Sequence, residues 1–211
     1  MALLYRAELR PGKLELLTAW LPNRPWYQGP AAPDLRRVAS YRFDDPAGEV
    51  GIETFVVQTG DGPLLQVPLT YRGAPLDFGD EWLVGTTEHS VLGPRWVYDG
   101  CGDPVYAEAL ASAILTGGSQ AEEFVEIDGR QQRRDPTTFV RGNGTLETDV
   151  PAVETLVRVD DEDPTVIVTD SVELAVVRVL GYTTVDDGER LTLTGTWDGQ
   201  PTALTLAYAA V

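Results

Sequence analysis

Leu65, Val67, Leu69 and Tyr71 alternate with Gln66, Pro68 and Thr70, the two-residue period of a strand with one face in a core. Patterns of this kind recur along the chain and confine it to a fold built mainly of β-structure. Two strand-like runs precede this one, Leu35 to Phe43 and Val50 to Gln58. Asp44-Asp45-Pro46-Ala47-Gly48 separates the first pair of runs and Gly60-Asp61-Gly62-Pro63 the second. Both connections carry Gly for a positive φ and Pro for a fixed one. Pro68 has no N–H to give to a ladder, which predicts that its strand is an edge or carries a bulge there. A shorter run, Leu3 to Leu9, opens the chain as a strand.

Helical spacing is confined to two stretches. After Pro11-Gly12, Leu14, Leu17 and Leu21 recur on one face with Trp20 beside them, and Pro22 ends the pattern. Trp20 borders that apolar stripe, so it is expected to be buried. Pro22 to Gly29 holds too many breakers for a regular element. The second helix starts at Asp103-Pro104, a capping carboxylate followed by Pro at the first helical position. It continues through Val105/Ala109/Ala113 and Tyr106/Leu110/Ile114 and stops at Gly117-Gly118. Arg72 to Gly102 reads as a long irregular connection.

From Glu122 onward strands and turns alternate: Val153–Val159, Val166–Thr169, Val172–Leu180, Leu191–Trp197 and Ala203–Ala209, with Asn143-Gly144, Asp187-Gly188 and Asp198-Gly199 as hairpin turns. The expected class is α+β in two units. Residues 1–118 form a cystatin-like cap, one helix on a curved antiparallel sheet, and residues 119–211 a β-rich unit.

Thirty-three acidic residues against 16 basic ones give a net charge of −17. That balance argues against nucleic acid and against an anionic membrane surface, since both demand a basic face. The excess is uneven, −6 over residues 1–120 and −11 over residues 121–211. Only Lys13 among the 16 basic residues is not Arg. No apolar run reaches membrane-spanning length and the N-terminus lacks a signal-length apolar core, so a cytoplasmic protein is expected. Cys101 is the one cysteine, which leaves no internal disulfide and no thiolate metal cage.

The chemistry-bearing motifs are sparse. Asp77-Phe78-Gly79 spells the magnesium-binding tripeptide of kinases, but His89, the one histidine, follows it and is succeeded by Ser90, so a His-Arg-Asp catalytic loop is missing. One His and one Cys cannot build a zinc site. Asp99-Gly-Cys-Gly-Asp103 and Asp160-Asp161-Glu162-Asp163 could offer only oxygen ligands, and neither matches a calcium loop. No catalytic, cofactor or metal residue is therefore assigned, and no cofactor is expected. The aromatics Trp20, Trp26, Tyr27, Trp82, Trp96 and Tyr98 stand near Arg24 and Arg95. Such residues either stack on sugar rings and partner surfaces or plug the space between helix and sheet.

Leu14 to Gly29, with Trp20-Leu21 followed by Arg24-Pro25-Trp26-Tyr27-Gln28-Gly29, resembles the Trp-Leu-x-x-x-Arg-Trp-(Tyr/Phe)-x-Gly opening of the maltokinase N-terminal cap domain. Pro25 departs from it by splitting the Arg-Trp pair. Gln66-Val67-Pro68-Leu69 is similar to that domain's central strand, and Trp96-Val97-Tyr98-Asp99 with Asp103-Pro104 to its helix start. The runs Asp45–Glu53, Val67–Leu76 and Gly85–Gly93 resemble free-standing actinobacterial proteins with a cap-like domain. The likeness covers about residues 10–110.

In the second unit, Leu174 to Leu180 is similar to the strand of a maltokinase N-lobe that carries the phosphate-binding Lys, with Ala175 at the Lys position. The resemblance implies a degenerate N-lobe without a catalytic lobe, and a non-catalytic binding or regulatory module of α-glucan, maltose or trehalose metabolism. It also implies a protein partner from that metabolism. The aromatics point alternatively to a sugar ligand, and the many carboxylates leave a hydrolase or transferase open. The expected binding surface is Arg24, Trp26, Tyr27, Trp82, His89, Arg95 and Trp96.

Overall fold

The computed structural model describes residues 2–4, 8–127, 130–181 and 190–210. In chain order the elements are β1 (Ala2–Leu4), β2 (Leu9–Arg10), α1 (Lys13–Trp20), β3 (Leu35–Phe43), β4 (Gly51–Thr59), β5 (Leu64–Arg72), β6 (Leu83–His89), β7 (Gly93–Asp99) and α2 (Pro104–Leu115). They continue with β8 (Glu123–Ile127), β9 (Arg130–Arg134), β10 (Thr138–Gly142), β11 (Leu156–Asp160), β12 (Thr165–Thr169), β13 (Glu173–Val176), β14 (Val179–Leu180), β15 (Leu191–Trp197) and β16 (Gln200–Ala210). The class is α+β, as expected from the sequence.

The cap sheet runs in the order β2-β6-β7-β5-β4-β3, all antiparallel, and β14 joins it beside β5. A second antiparallel sheet has the order β10-β15-β16-β13-β12-β11, and a small third one the order β1-β8-β9. The alternation in β5 sorts the two faces of the cap sheet. Leu65, Val67 and Leu69 pack with Leu17, Trp20, Leu21, Trp26, Phe55 and Val57 under α1. On the other face Val56, Ile52 and Tyr41 join Tyr106, Leu110 and Ile114 of α2 and Ile167, Leu174 and Leu206 of the second sheet in one larger core. Helix α2 thus lies between two sheets, which is why eight of its twelve residues are buried.

Both helices start where the sequence says. The Gly12 N–H donates to Glu15 Oε2 at 2.6 Å at the start of α1. Asp103 Oδ1 accepts from the Val105 N–H at 3.0 Å at the start of α2, and Gly117, with φ 68°, stands just past its end.

Several expectations are corrected. Arg72 to Gly102 is not irregular: it contains the β6–β7 hairpin, whose pattern Gly85, Gly93 and Pro94 interrupt in the sequence. Leu3 to Leu9 is not one strand. Ala2–Leu4 pairs with β8 and Leu9–Arg10 with β6, with residues 5–7 outside the described residues. Val172 to Leu180 splits between two sheets as β13 and β14. Pro68 lies in an interior strand without a bulge. It sits where β14, beside Leu64 and Leu65, gives way to β7, which begins pairing at Leu69, so its missing N–H falls in the gap. Asn143-Gly144 joins no adjacent strands. Asn143 Oδ1 accepts from the Thr192 N–H at 2.7 Å and the Gly144 N–H reaches the Ile114 carbonyl, tying the end of β10 to β15 and α2. Asp198-Gly199 does turn β15 into β16, and Asp187-Gly188 lies outside the described residues.

Candidate functional site

The segment after α1 turns through Leu21–Asn23 as a single 3-10 turn and then crosses the end of the cap sheet. Trp26 is only 4% exposed and its indole N–H donates to Asp161 Oδ1 at 2.8 Å. Arg24 Nη1 reaches Asp161 Oδ2 at 3.3 Å, and its guanidinium carbon lies 4.8 Å from the centre of the Trp20 ring. On the inner side of Trp26, 4.8 Å from its ring centre, is the guanidinium of Arg178.

Arg178 has no exposed surface. Its Nη2 donates to Asp99 Oδ2 and its Nε to Thr165 Oγ1, each at 2.7 Å, while its backbone N–H donates to Asp163 Oδ1 at 2.8 Å. Burial works most strongly against the charge, but Asp99, with further help from Cys101 and Asp161, more than offsets it and holds the guanidinium more firmly protonated than usual. Gln66 continues the polar seam. Its amide donates to the carbonyls of Val177 and Leu206 and its Oε1 accepts from the Tyr41 hydroxyl. A buried guanidinium and a buried amide, nearly all of their groups paired, bind the cap sheet to the second sheet.

Beside this seam the surface opens into a groove of about 720 Å³, lined by Trp26, Tyr27, Gln28, Thr59, Glu162 and Asp163 with three prolines. Tyr27 donates its hydroxyl to the Pro30 carbonyl at 3.0 Å and folds over Gly29, where any Cβ would stand 2.3 Å from the hydroxyl. The ring is therefore fixed at the groove wall.

The seven residues expected to form one binding surface are not brought together. Arg24, Trp26 and Tyr27 meet at the Leu65 end of β5. Trp96 pairs with Arg72 at its other end, seven residues or roughly 23 Å away, and Arg95 is its neighbour on β7. His89 ends β6, its Nδ1 accepting from the N–H groups of Val91 and Leu92, and burial and then Arg95 depress its pKa. Trp82, 9% exposed, closes over Gly102, where a Cβ would stand 2.0 Å from the indole. Trp26 and Trp82 are thus core residues, and of the three tryptophans only Trp96 is half-exposed.

The remaining motifs are occupied by structural tasks. Asp103 accepts from Thr70, from Arg72 at 2.6 and 2.7 Å, and from its own helix. Asp99 and Asp161 serve Arg178, Arg24 and Trp26, and Asp163 accepts the N–H groups of Arg178 and Val179. Cys101 is fully buried, and burial first of all pushes its thiol well above its ordinary pKa. Asp77-Phe78-Gly79 lies in a surface loop with Phe78 wholly exposed.

Sequence reasoning passed over Arg178, Asp99, Asp161 and Gln66 as a group. The available signal was a single cation inside the apolar run Val176-Val177-Arg178-Val179-Leu180 and a Gln on the inward period of β5. Either buried polar group demands partners.

No helix of the described residues is long and apolar enough to cross a membrane. No curated protein matches the chain. A family model does match, over residues 20–103, and it is described as the maltokinase N-terminal cap domain. The match begins at Trp20 and ends at Asp103, the two residues that close α1 and cap α2, so this segment of the chain is similar to the maltokinase N-terminal cap domain.

Proposed function

We propose that the protein is a non-catalytic binding or regulatory module of maltose, trehalose or α-glucan metabolism, acting through contacts with another protein. The observation that carries this reading is the cap-domain match over residues 20–103. Its non-catalytic character is supported by Ala175, which takes the position of the phosphate-binding Lys under the N-lobe resemblance. Leu174, Ala175 and Val176 are all buried, which leaves no open cleft for a nucleotide there. The chain's one Lys, Lys13, is engaged by Glu53. We assign residues 1–118 to the cap and 119–211 to the β-rich, N-lobe-like unit. The tip of the β6–β7 hairpin, with Val91 and Leu92 about half exposed, offers an apolar contact.

A second reading, sugar binding, is favoured by the groove, which Tyr27 lines together with Glu162 and Asp163. A ring face with hydroxyl acceptors nearby suits a neutral saccharide. One set of measurements separates the two. The purified protein is assayed for ATP-dependent phosphorylation of maltose, titrated calorimetrically with maltose, maltotetraose and trehalose, and reconstituted with purified enzymes of α-glucan metabolism. A complex with one enzyme that is lost on Leu92→Asp supports protein contact. Saccharide binding lost on Tyr27→Ala supports the groove, and maltose phosphorylation overturns both.

A further inference from the structure

The chain carries a net charge of −17, yet five of its sixteen basic residues meet in one place. A cleft of about 490 Å³ runs along β3, the terminal strand of the cap sheet, and Lys13, Arg37, Arg42, Arg133 and Arg134 line it with Glu53, Glu122 and Glu123. Among the described residues, five cations against three carboxylates leave a surplus of two positive charges on a strongly acidic molecule.

The carboxylates are already taken. Glu53 is held by Lys13 and by Arg42 Nη1 at 3.4 Å, Glu122 by Arg133 at 3.1 Å and Glu123 by Arg134 at 3.4 Å. Among the described residues no carboxylate pairs with Arg37, whose guanidinium lies over Phe55. Two further donors at the cleft, Arg42 Nε and the hydroxyl of Thr138, are buried without a hydrogen-bond partner. Thr138 is 3% exposed. Buried donors without partners are rare enough that a missing acceptor is their natural explanation.

We propose that this cleft binds a phosphate monoester carried on a small polyhydroxylated body, a molecule of sugar-phosphate class. Guanidinium forks match phosphate oxygens in geometry as well as charge, and Arg37 and Arg42 supply them from one strand. The cleft has room for more than the phosphate, and beside Val38, Ala39, Ala121 and Pro136 its remaining wall offers the polar side chains Ser40, Ser119, Gln120 and Thr137. A nucleotide is disfavoured because, among the described residues, the one aromatic ring in the wall is Tyr41, which is 3% exposed with its hydroxyl bonded to Gln66, so it has no face free for a base to stack on. The proposal does not depend on the partner or saccharide readings above, which concern other faces.

Calorimetry on the full chain at fixed ionic strength tests it, with glucose 1-phosphate as the probe and glucose, inorganic phosphate and AMP as comparators. Glucose 1-phosphate is expected to bind about tenfold or more tightly than each comparator, the difference one good charge-assisted contact supplies. Arg37→Gln, an exposed position, should weaken it about tenfold. Arg36→Gln should leave it unchanged, since Arg36 is engaged by Gln58. Thr138→Val, checked for folding by circular dichroism, should also weaken it. Absence of binding, equal binding by Arg37→Gln, or AMP or inorganic phosphate binding as tightly as glucose 1-phosphate would overturn the assignment.

Discussion

Arg178 and Asp99 form an ion pair 2.7 Å long in which neither side chain has any exposed surface. They are 79 residues apart, one just after the last strand of the second sheet's β12–β13 hairpin and the other at the end of β7. Removing Arg178 leaves the Asp99 carboxylate buried without its counterion, and removing Asp99 leaves the guanidinium only Asp161 at 3.8 Å. Arg178→Met is therefore expected to cost about 3–5 kcal/mol, and the double variant with Asp99→Asn to recover part of that loss. Urea unfolding of the four proteins measures it. A double variant as unstable as the sum of the singles would show that the two charges do not act as a pair.

Trp20 and Trp26 should separate by mechanism. Trp20, 6% exposed, packs edge to face on Trp26 with centroids 6.1 Å apart, and Trp20→Ala should cost about 3–5 kcal/mol of stability. Trp26→Phe keeps most of the ring and loses the bond to Asp161, so about 1–3 kcal/mol is expected. Thermal melts of the two variants check the order. A Trp20→Ala protein with an unchanged Tm would remove Trp20 from the core.

Glu53 should make the protein acid-sensitive. Burial alone would raise its pKa, but Lys13 and then Arg42 outweigh it and the carboxyl is held below its ordinary value. A depressed folded pKa means that the stabilisation is present above the unfolded value, about 4.3, and is lost as the pH falls through the folded one. Glu53→Gln should thus be less stable at neutral pH, by about 3–5 kcal/mol because Lys13 and Arg42 lose their counterion. The two proteins should converge in acid. A constant gap across the whole pH range would contradict this.

Cys101 should be silent to thiol reagents in the native state. It is fully buried and its thiol is pushed up, so little thiolate forms. Labelling is expected only at the rate of unfolding, measured by adding reagent with and without denaturant. Rapid stoichiometric labelling of the folded chain would place the thiol at the surface.

What was legible in the sequence is what local chemistry dictates. Asp103-Pro104 marks α2 because a carboxylate followed by Pro suits a helix start, and the span Leu35–Phe43 matches its strand end to end because its turn residues are unambiguous. The burial of Trp20 followed from its place beside Leu17 and Leu21. The β6–β7 hairpin was not legible, since Gly85 and Gly93 break the alternation while long-range pairing with β5 rescues it. The candidate surface failed for the same reason. Trp82 and Trp26 lie in breaker-rich segments, and only the distant partners Gly102, Asp161 and Arg178 show that they face inward. Nor could spacing reveal the cation-rich cleft, because Lys13, Arg42 and Arg133 are drawn from three separate elements.

Gln66 belongs to the third strand of the cap meander, yet its amide is satisfied by carbonyls 111 and 140 residues further along the chain. A ribosome adding about 5–20 residues per second would need on the order of ten seconds to supply them. During that interval the nascent cap carries an unsaturated polar group at its centre and an open flank where β14 will lie. Contacts of such sequence separation are slow to form, so synthesis and assembly run in opposite directions, and an early-made strand of the meander is among the last to be completed.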